Sequence, residues 1–504
     1  APARASAPAA ATPTPPPVRR EFRGVWIATA GNIDWPSRPG LSTAEQQAQL
    51  LAMLDRARAL HLNAVIFQVR PSGDAMYASK LEPWSAFLTG RMGRAPDPPW
   101  DPLAFAVKAA HARGLALHAW FNPFRARYPG DTAPAARTHV SRREPGAVHR
   151  YGPYLWMDPG SAAARARAIR VILDVVRRYD IDGVHIDDTF YPYPVVRDGR
   201  EVPFPDDATW RAYRARGGRL TRGAWRRGNV DRFVQALYAA VKREKPWVAV
   251  GISPFGIWRP GNPPGIEGFD AYAELNTDSR LWLANGWVDY LAPQLYWPAG
   301  HPAQSYAALL KWWVEQNPRG RNIFAGNYAA RVAGTAGGSE VWPASEIVNQ
   351  VALTRQQPGA GGDIFFSMSS LMSDPDSLDE QLLAGPYAAR ALGPAYPWLD
   401  ATKPAAPAVT LAPATVGDAP TVRFRPAGPV APRQWVVQTM TDGAWRTAIL
   451  PGTARTFTPS DSGNPQAVSV IAVDRAGVES APTVVVPLDR RNPPRRERRR
   501  PDLP

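Results

Sequence analysis

The sequence predicts an α/β fold, a (β/α)8 barrel of the TIM type, followed by a small all-β sandwich. Between residues 22 and 392, eight short apolar runs alternate with eight segments of helical character. Strict alternation of strands and helices favours a parallel sheet closed by helices. After residue 407 the helical signals stop and only short strand runs remain, which indicates a separate β module.

The predicted barrel strands are apolar runs bounded by turn or cap residues. They are 24–29, 64–69, 115–121, 183–186, 248–252, 290–295, 322–326 and 363–368. The predicted helices are 43–60, 101–113, 160–178, 229–244, 278–286, 304–316, 344–356 and 376–392. Thr43 and Gln46 have the order of a capping box, and Asp101 before Pro102 is a typical helix start. An open doubly wound sheet is the alternative, and it is disfavoured because no Gly-x-Gly-x-x-Gly follows the first strand.

The domain boundaries follow from shifts in composition. We expect a disordered Ala/Pro-rich linker at 1–20, the barrel at 21–395, a linker at 396–407, the sandwich at 408–488 and a basic disordered tail at 489–504. The predicted sandwich strands are 409–411, 421–424, 434–438, 446–449, 456–458, 467–474 and 483–486. The stretch 472–477 resembles the late strand and turn of fibronectin type III domains.

The formal net charge is +15, and cysteine is absent. The charge favours an anionic partner, and the absence of cysteine excludes disulfides and thiolate ligands. No nucleic-acid-binding signature accompanies the charge, so we expect no nucleic acid partner. A chain that opens on a linker without a starting Met suggests a removed signal. We therefore expect export to the periplasm or cell envelope, with membrane attachment through a processed N-terminus, as in an outer-membrane lipoprotein.

The stretch 182–193 contains the strongest functional signal. Its strand ends in the adjacent carboxylates Asp187 and Asp188, followed by aromatic residues that include Tyr191. Carboxylates at the carboxyl end of a barrel strand are typical of catalysis, whereas Asp182 lies at the end associated with stability. His185 shares a strand face with Asp187. We predict that Asp187 and Asp188 are catalytic; the alternative is a hydrogen-bonded pair that orders the following loop.

Glycoside hydrolysis commonly uses two carboxyl groups on either side of one bond, and adjacent residues rarely flank a bond well. The sequence therefore offers Asp278 as a further catalytic candidate, and Glu82 after it. Asp278 precedes a predicted helix, so a simple helix-terminal role is its alternative.

Polar and aromatic residues end several other predicted strands. Arg70 and Arg259 are candidates to hold a substrate carboxylate, with exposed ion pairs as the alternative. His185 is more consistent with a hydrogen-bonded orienting role than with a metal ligand, and no histidine has ligand spacing, so we predict no metal and no cofactor. The predicted substrate-binding residues are Arg70, Asn122, His185, Tyr191, Trp258, Arg259, Gln294, Tyr296 and Trp297.

Five motifs resemble those of the family 10-like bacterial glycosyl hydrolases. They are Phe22-Arg-Gly-Val-Trp26 and the stretches 63–70, 182–188, 252–259 and 287–297. The resemblance implies a TIM-type barrel in an envelope protein linked with peptide-free peptidoglycan strands, sometimes with a fibronectin-like module. It also implies that Asp187, Asp188, Gln294, Tyr296 and Trp297 belong to the site.

The fourth-strand motif is also similar to Asp-Gly-x-Asp-x-Asp-x-Glu of family 18 chitinases. His185 and Thr189 replace two of its acids, so the chitinase roles do not transfer unchanged. We predict a glycoside hydrolase acting on peptide-free peptidoglycan. The alternatives are a hydrolase of another secreted polysaccharide and a barrel that binds glycan without cutting it.

Overall fold

The computed structural model describes residues 13–132, 134–334, 340–400, 402–412, 420–459 and 465–486. The chain divides into two compact units, Arg19–Ala401 and a second unit made of Ala1–Val18 with Thr402–Pro504. Residues 13–18, which lie within the predicted N-terminal linker, group with the C-terminal segment, and the predicted domain boundaries remain a prediction. The basic tail at 489–504 and residues 1–12 lie outside the described residues.

The first unit is a closed barrel of eight parallel strands in chain order, which confirms the predicted fold. Each predicted strand overlaps an observed one, although the sixth is only two residues long. The barrel strands are β1 (Phe22–Ile27), β2 (Ala64–Arg70), β3 (Ala116–Phe121), β4 (Gly183–Ile186), β5 (Ala249–Ile252), β6 (Tyr290–Leu291), β7 (Asn322–Asn327) and β8 (Ala360–Phe365).

The helices lie between the strands. Of the thirteen α-helices among the described residues, eight overlap the predicted ones and five were not predicted, and three predicted details differ in position. The first capping box is formed by Ser42 and Glu45, one residue earlier than predicted, because the Ser42 hydroxyl accepts the Glu45 N–H. The helix predicted to start at 229 starts at Arg222, and the predicted 376–392 helix ends at Ala384. The α-helices are Thr43–Ala59, Ala86–Thr89, Pro102–Ala112, Val140–Arg143, Ala162–Arg178, Asp207–Ala215, Arg222–Glu244, Ala271–Glu274, Ser279–Asn285, Tyr306–Glu315, Ala344–Gln356, Met368–Ser373 and Leu378–Ala384. Short 3-10 turns are Ala30–Asn32, Pro145–Ala147, Ala329–Arg331 and Pro375–Ser377.

Rings fill the inside of the barrel, so the barrel is a packed core and any site must lie at its mouth. Phe22 stacks on Phe324 with ring centroids 4.2 Å apart, and Tyr290 packs beside them. Gly251 leaves the space that the Tyr290 ring occupies, since a Cβ there would lie 1.8 Å from the ring.

Two small sheets follow the carboxyl ends of β3 and β4. The first has the strands Arg125–Arg127, Val148–Tyr151 and Tyr154–Met157, and the second is the hairpin Val195–Arg197 with Arg200–Val202. Within the described residues, no helix is both long and apolar enough to cross a membrane.

The second unit is an all-β sandwich with a three-stranded and a four-stranded sheet, and each of the seven predicted strands is present. Val422, Phe424, Trp435 and Val470 belong to the apolar core between the sheets. Assignment to the fibronectin type III class remains a prediction. The strands are Ala408–Ala412, Thr421–Arg425 and Thr456–Phe457 in one sheet, and Gln434–Thr441, Ala444–Pro451, Ala467–Val473 and Thr483–Val485 in the other.

Candidate active site

A cleft of about 220 Å³ lies at the carboxyl ends of the barrel strands. It holds both Asp187 and Asp188, among mostly apolar and aromatic neighbours. Its volume is below the roughly 300–1,000 Å³ of a pocket that encloses a drug-sized ligand. The lining residues are Trp26, Ala28, Ala30, Ile33, Gln68, Trp120, Arg125, Tyr128, Asp187, Asp188, Ser253, Gln294, Tyr296 and Phe366.

A hydrogen-bond chain across four strands holds Asp187. The Gln68 side chain accepts the N–H groups of Thr29 and Ala30, each at 2.8 Å, and donates to the side-chain oxygen Oδ1 of Asn122 at 2.6 Å. The Asn122 amide in turn donates to Asp187 Oδ2. The loop after β1 and the ends of β2 and β3 therefore fix the carboxylate that ends β4.

The second oxygen of Asp187 is held from its own loop. Asp187 Oδ1 accepts the Thr189 hydroxyl at 2.6 Å and the Thr189 N–H at 3.2 Å. Thr189 stands where the related chitinase motif has its acid, and here it orients Asp187. Both Asp187 oxygens are thus supplied with donors.

Asp188 has a different environment. Burial and the adjacent charge of Asp187 raise the pKa of Asp188 to about 7, against the opposing effect of hydrogen bonds from Tyr193 and Gln294. The Tyr193 hydroxyl donates to Asp188 Oδ2. A carboxyl group with such a pKa retains its proton close to neutral pH, which suits a general acid.

His185 lies below the cleft, inside the barrel, and is fully buried. Trp26 Nε1 donates to His185 Nε2 at 3.0 Å, and the Tyr290 hydroxyl lies 2.9 Å from His185 Nδ1. Burial holds the pKa of His185 well below its ordinary value, so the ring is neutral. This corrects the prediction that His185 binds substrate: it orients Trp26, which does line the cleft.

Stacked aromatic rings form one wall of the cleft. Tyr296 stacks on Tyr328 with centroids 4.5 Å apart, and Phe366 packs against both rings. Flat apolar faces of this kind beside carboxylates are suited to sugar rings. The predicted residues Gln294 and Tyr296 therefore lie in the cleft with Asp187 and Asp188, and Asn122 lies directly behind them.

Arg70 lies beneath the site, which corrects the prediction that it binds a substrate carboxylate. It is only 1 % exposed, and its guanidinium contacts Glu82 at 3.0 Å and the Asn122 carbonyl. Glu82 also accepts Arg167 at 3.2 Å, so this catalytic candidate is a buried ion-pair partner. Both residues support the end of β2 from below.

Asp278 caps a helix, which is the alternative role predicted for it from the sequence. It accepts the Leu281 N–H and the Trp258 indole N–H, each at 3.2 Å, and it is not part of the cleft lining. Burial raises its pKa above the ordinary value. The catalytic role of Asp278 therefore remains a prediction that this geometry does not support, and Trp258 contacts the same helix cap.

Three further predicted binding residues lie outside the cleft lining. Tyr191 is 1 % exposed with its ring 5.6 Å from the Arg226 guanidinium, which leaves no face for a sugar. Arg259 pairs with Asp270 at 3.3 Å on the surface. Trp297 packs edge-on against Phe255 with centroids 5.6 Å apart.

Sequence reasoning missed Arg125, Tyr128 and Phe366 as cleft residues. Arg125 begins the short strand that follows Asn122, Tyr128 comes directly after that strand, and Phe366 directly follows β8, so position after a barrel strand was the available signal. Among the described residues, no group of three or more acidic or histidine side chains is arranged to hold a metal ion.

A carboxyl group with a raised pKa beside a second carboxylate, in an aromatic cleft at the carboxyl end of a (β/α)8 barrel, is typical of glycoside hydrolases. Residues 21–343 match the family described as glycosyl hydrolase-like 10. The chain belongs to this family and is a glycoside hydrolase.

Curated relatives have the same assignment in their names. Glycosyl hydrolase YngK of Bacillus subtilis (strain 168) is 39 % identical over 398 residues, covering 78 % of this chain and 76 % of the relative. Glycosyl hydrolase DigH of Escherichia coli (strain K12) is 33 % identical over 375 residues, covering 68 % of this chain and 82 % of the relative.

Similar solved structures include the glycoside hydrolase domain of PgaB (BpsB) from Bordetella bronchiseptica. Its TM-score is 0.47 at 15 % identity, with 73 % of this chain and 98 % of that chain covered. The endo-β-1,4-mannanase from Thermotoga petrophila has a TM-score of 0.44 at 10 % identity, with 93 % of this chain and 97 % of that chain covered.

Proposed function

We propose that this glycoside hydrolase cleaves peptidoglycan glycan strands from which the peptides have been removed. The observation that carries the proposal is the pair Asp187 and Asp188 in one aromatic cleft, with the pKa of Asp188 raised to about 7. The formal charge of +15 favours an anionic polymer, and peptide-free strands carry the carboxylates of their lactyl groups.

In the proposed reaction Asp188 is the general acid. Its proton passes to the glycosidic oxygen as the bond from that oxygen to the anomeric carbon breaks, and the leaving sugar departs as an alcohol. Water finally adds to the anomeric carbon, and its released proton restores Asp188. General acid–base help of this kind is typically worth about 10²–10⁴-fold in rate.

Asp187 acts as the partner of this acid. Asn122 and Thr189 hold its two oxygens in fixed directions, so the carboxylate faces the cleft without needing to reorganise. We assign to it the stabilisation of the positive charge that develops at the anomeric carbon. A preorganised charge in a buried site is more effective than the same charge in water.

The acid role gives a direction for the pH dependence. Asp188 must be protonated to act, and its pKa is raised to about 7, so turnover should fall as the pH rises above about 7. The Tyr193 hydroxyl donates to Asp188, so a change at Tyr193 should shift the pH at which turnover falls.

The direct test compares two forms of purified sacculi. Sacculi treated with an amidase that removes the peptides should release soluble saccharides on incubation with the enzyme, and untreated sacculi should release far less. Chromatography with mass detection identifies the products, and Asp187→Asn is the inactive control. Equal release from both forms would contradict the proposed preference, and release only from chitin or another polysaccharide would redirect the substrate assignment.

We also propose export to the cell envelope, because the proposed substrate lies outside the cytoplasmic membrane. A fibronectin type III-like module and attachment through a processed N-terminus remain part of this proposal. Fractionation of the native host with an antibody to the protein tests it, and recovery only from the cytosolic fraction would contradict it.

A further inference from the structure

The cleft contains a single cationic side chain among its described lining residues, and that residue is Arg125. Arg125 begins the short strand that follows β3, three residues after Asn122. It thus lies in the same loop system that orients Asp187, although within the described part of the chain no hydrogen bond joins it to Asp187 or Asp188.

The Arg125 side chain is held in place from two sides. Its Nε donates to the Pro71 carbonyl at 2.8 Å, and its guanidinium carbon lies 5.3 Å from the centre of the Tyr128 ring. The residue is 8 % exposed, and the cleft is where it meets the surface. A guanidinium with Nε already occupied presents its two terminal nitrogens as a fork, which matches the two oxygens of a carboxylate.

Four arginines among the described residues of the barrel unit are buried, and Arg125 differs from the other three. Arg23 contacts Glu21 at 2.9 Å, Arg70 contacts Glu82 at 3.0 Å, and Arg167 contacts Glu82 and Glu144. For Arg125, no carboxylate of the described residues lies within ion-pair distance. Burying a cation without a counter-charge is costly, so a buried arginine that opens into a cleft is suited to an anion brought by the ligand.

We propose that Arg125 binds the free carboxylate of an acidic sugar and thereby selects peptide-free strands. This inference rests on the proposed function and gives its preference a chemical cause. In a peptide-bearing strand the lactyl carboxyl group is consumed in an amide bond, so it has no charge and only one oxygen acceptor. After the peptide is removed, the same group is a carboxylate that the Arg125 fork can bind at both oxygens. Ile33 and Tyr128, which line the same cleft, offer apolar surface to the lactyl methyl group.

The test crosses two substrates with four proteins. The substrates are soluble peptide-free glycan strands and the same strands after carbodiimide coupling of their carboxylates to methylamine. The proteins are wild type, Arg125→Gln, Arg125→Lys and the matched control Arg259→Gln. Arg259 also lies over a tyrosine ring, at 4.8 Å from that of Tyr272, but it pairs with Asp270 outside the cleft lining.

We expect Arg125→Gln to lower kcat/KM on the native strands by roughly 10–100-fold, the range expected for a hydrogen-bonded charged group. The kcat/KM of the wild type should fall by a similar factor when the strands are amidated. The kcat/KM of Arg125→Gln on amidated strands should be little lower than its own value on native strands. Arg125→Lys keeps the charge without the fork, so its loss on native strands should be smaller. Arg259→Gln should match wild type on both substrates, and the pH profile should be the same for all four proteins.

Each contrary result has a distinct meaning. Equal losses for Arg125→Gln on native and amidated strands, or a shifted pH profile, would show that Arg125 only supports the catalytic loop and would overturn the inference. If Arg125→Gln fails to fold by thermal melting, Arg125→Lys decides the question by the same comparison. If the wild type cleaves native and amidated strands with the same kcat/KM, the inference about Arg125 is overturned and the proposed function is not. Wild type that cleaves neither substrate would overturn the proposed function.

Discussion

Strand β4 has carboxylates at both of its ends, and their surroundings differ. Asp182, at the amino-terminal end, contacts His111 Nε2 at 2.9 Å and accepts the Leu117 N–H at 2.8 Å. Its backbone also bridges β3 and β5, since its N–H donates to Leu117 and its carbonyl accepts from Ala249. Asp182 is thus fully engaged in joining three strands.

At the carboxyl end, two carboxylates stand side by side. Asp188 is buried, and the negative charge of Asp187 repels a negative charge on Asp188, so the pKa of Asp188 is raised to about 7. The same residue type therefore stabilises the barrel at one end of a strand and costs stability at the other. Unfavourable burial of like charges is tolerated where chemistry requires it.

Asp187→Asn should give the largest effect. The amide keeps the shape of the side chain but removes the negative charge, so turnover should fall by about 10²–10⁴-fold or more. Steady-state rates on peptide-free strands measure this, with the melting temperature as the check on folding. A rate close to wild type would remove Asp187 from the mechanism and direct attention to Asp188 alone.

Asp188→Asn should also lower turnover by about 10²–10⁴-fold on natural glycans, because the acid is lost. Substrates with an activated aryl leaving group need little protonation, so their loss should be much smaller. The fall in rate above about pH 7 should disappear in the residual activity. A loss that is the same for both leaving groups would argue that Asp188 is not the acid.

Asp182→Ala should leave the chemistry intact and destabilise the barrel. The Leu117 N–H and His111 lose their partner, which costs about 1–3 kcal/mol of unfolding free energy. Asp182→Asn, which keeps an acceptor, should cost less. Denaturant unfolding and the rate per folded enzyme are the two measurements. A stable but inactive variant would contradict the view that Asp182 stabilises the barrel and takes no part in the chemistry.

The smallest expected effect is a gain in stability for Asp188→Asn. The folded-state pKa is raised, so the folded protein holds this proton more tightly and the unfolding free energy decreases as the pH rises from about 4 to about 7. Asp188→Asn has no carboxyl group at this position, so its unfolding free energy does not decrease with pH in this way. At pH 8 it should be more stable than wild type by at least about 1 kcal/mol, since one unit of pKa shift equals about 1.36 kcal/mol. Thermal melting at pH 4 and pH 8 measures this, and an unchanged difference between the two pH values would contradict it.

The fold was predictable because its determinants are local. Apolar runs such as 64–69, ended by polar residues and separated by capped helical segments, specify strands and helices in a set order. The pair Asp187 and Asp188 was predictable for the same reason, since the end of a strand can be read from its own residues. The capping box was misplaced by one residue because Ser42 and Thr43 are both able to cap.

The rest of the site depended on tertiary structure. Arg70 is the last residue of a barrel strand, and Arg125 and Arg259 follow barrel strands, so no local feature tells the three apart. Their roles depend on residues that are distant in sequence. Arg70 forms an ion pair with Glu82 and Arg259 forms one with Asp270, whereas Arg125 lines the cleft. The sequence by itself determined the barrel and the position of the pair Asp187 and Asp188 through local periodicity and strand ends. Only the tertiary structure decided which charged side chains neutralise one another and which remain for a ligand, because pairing between charges depends on distances in space rather than on spacing along the chain.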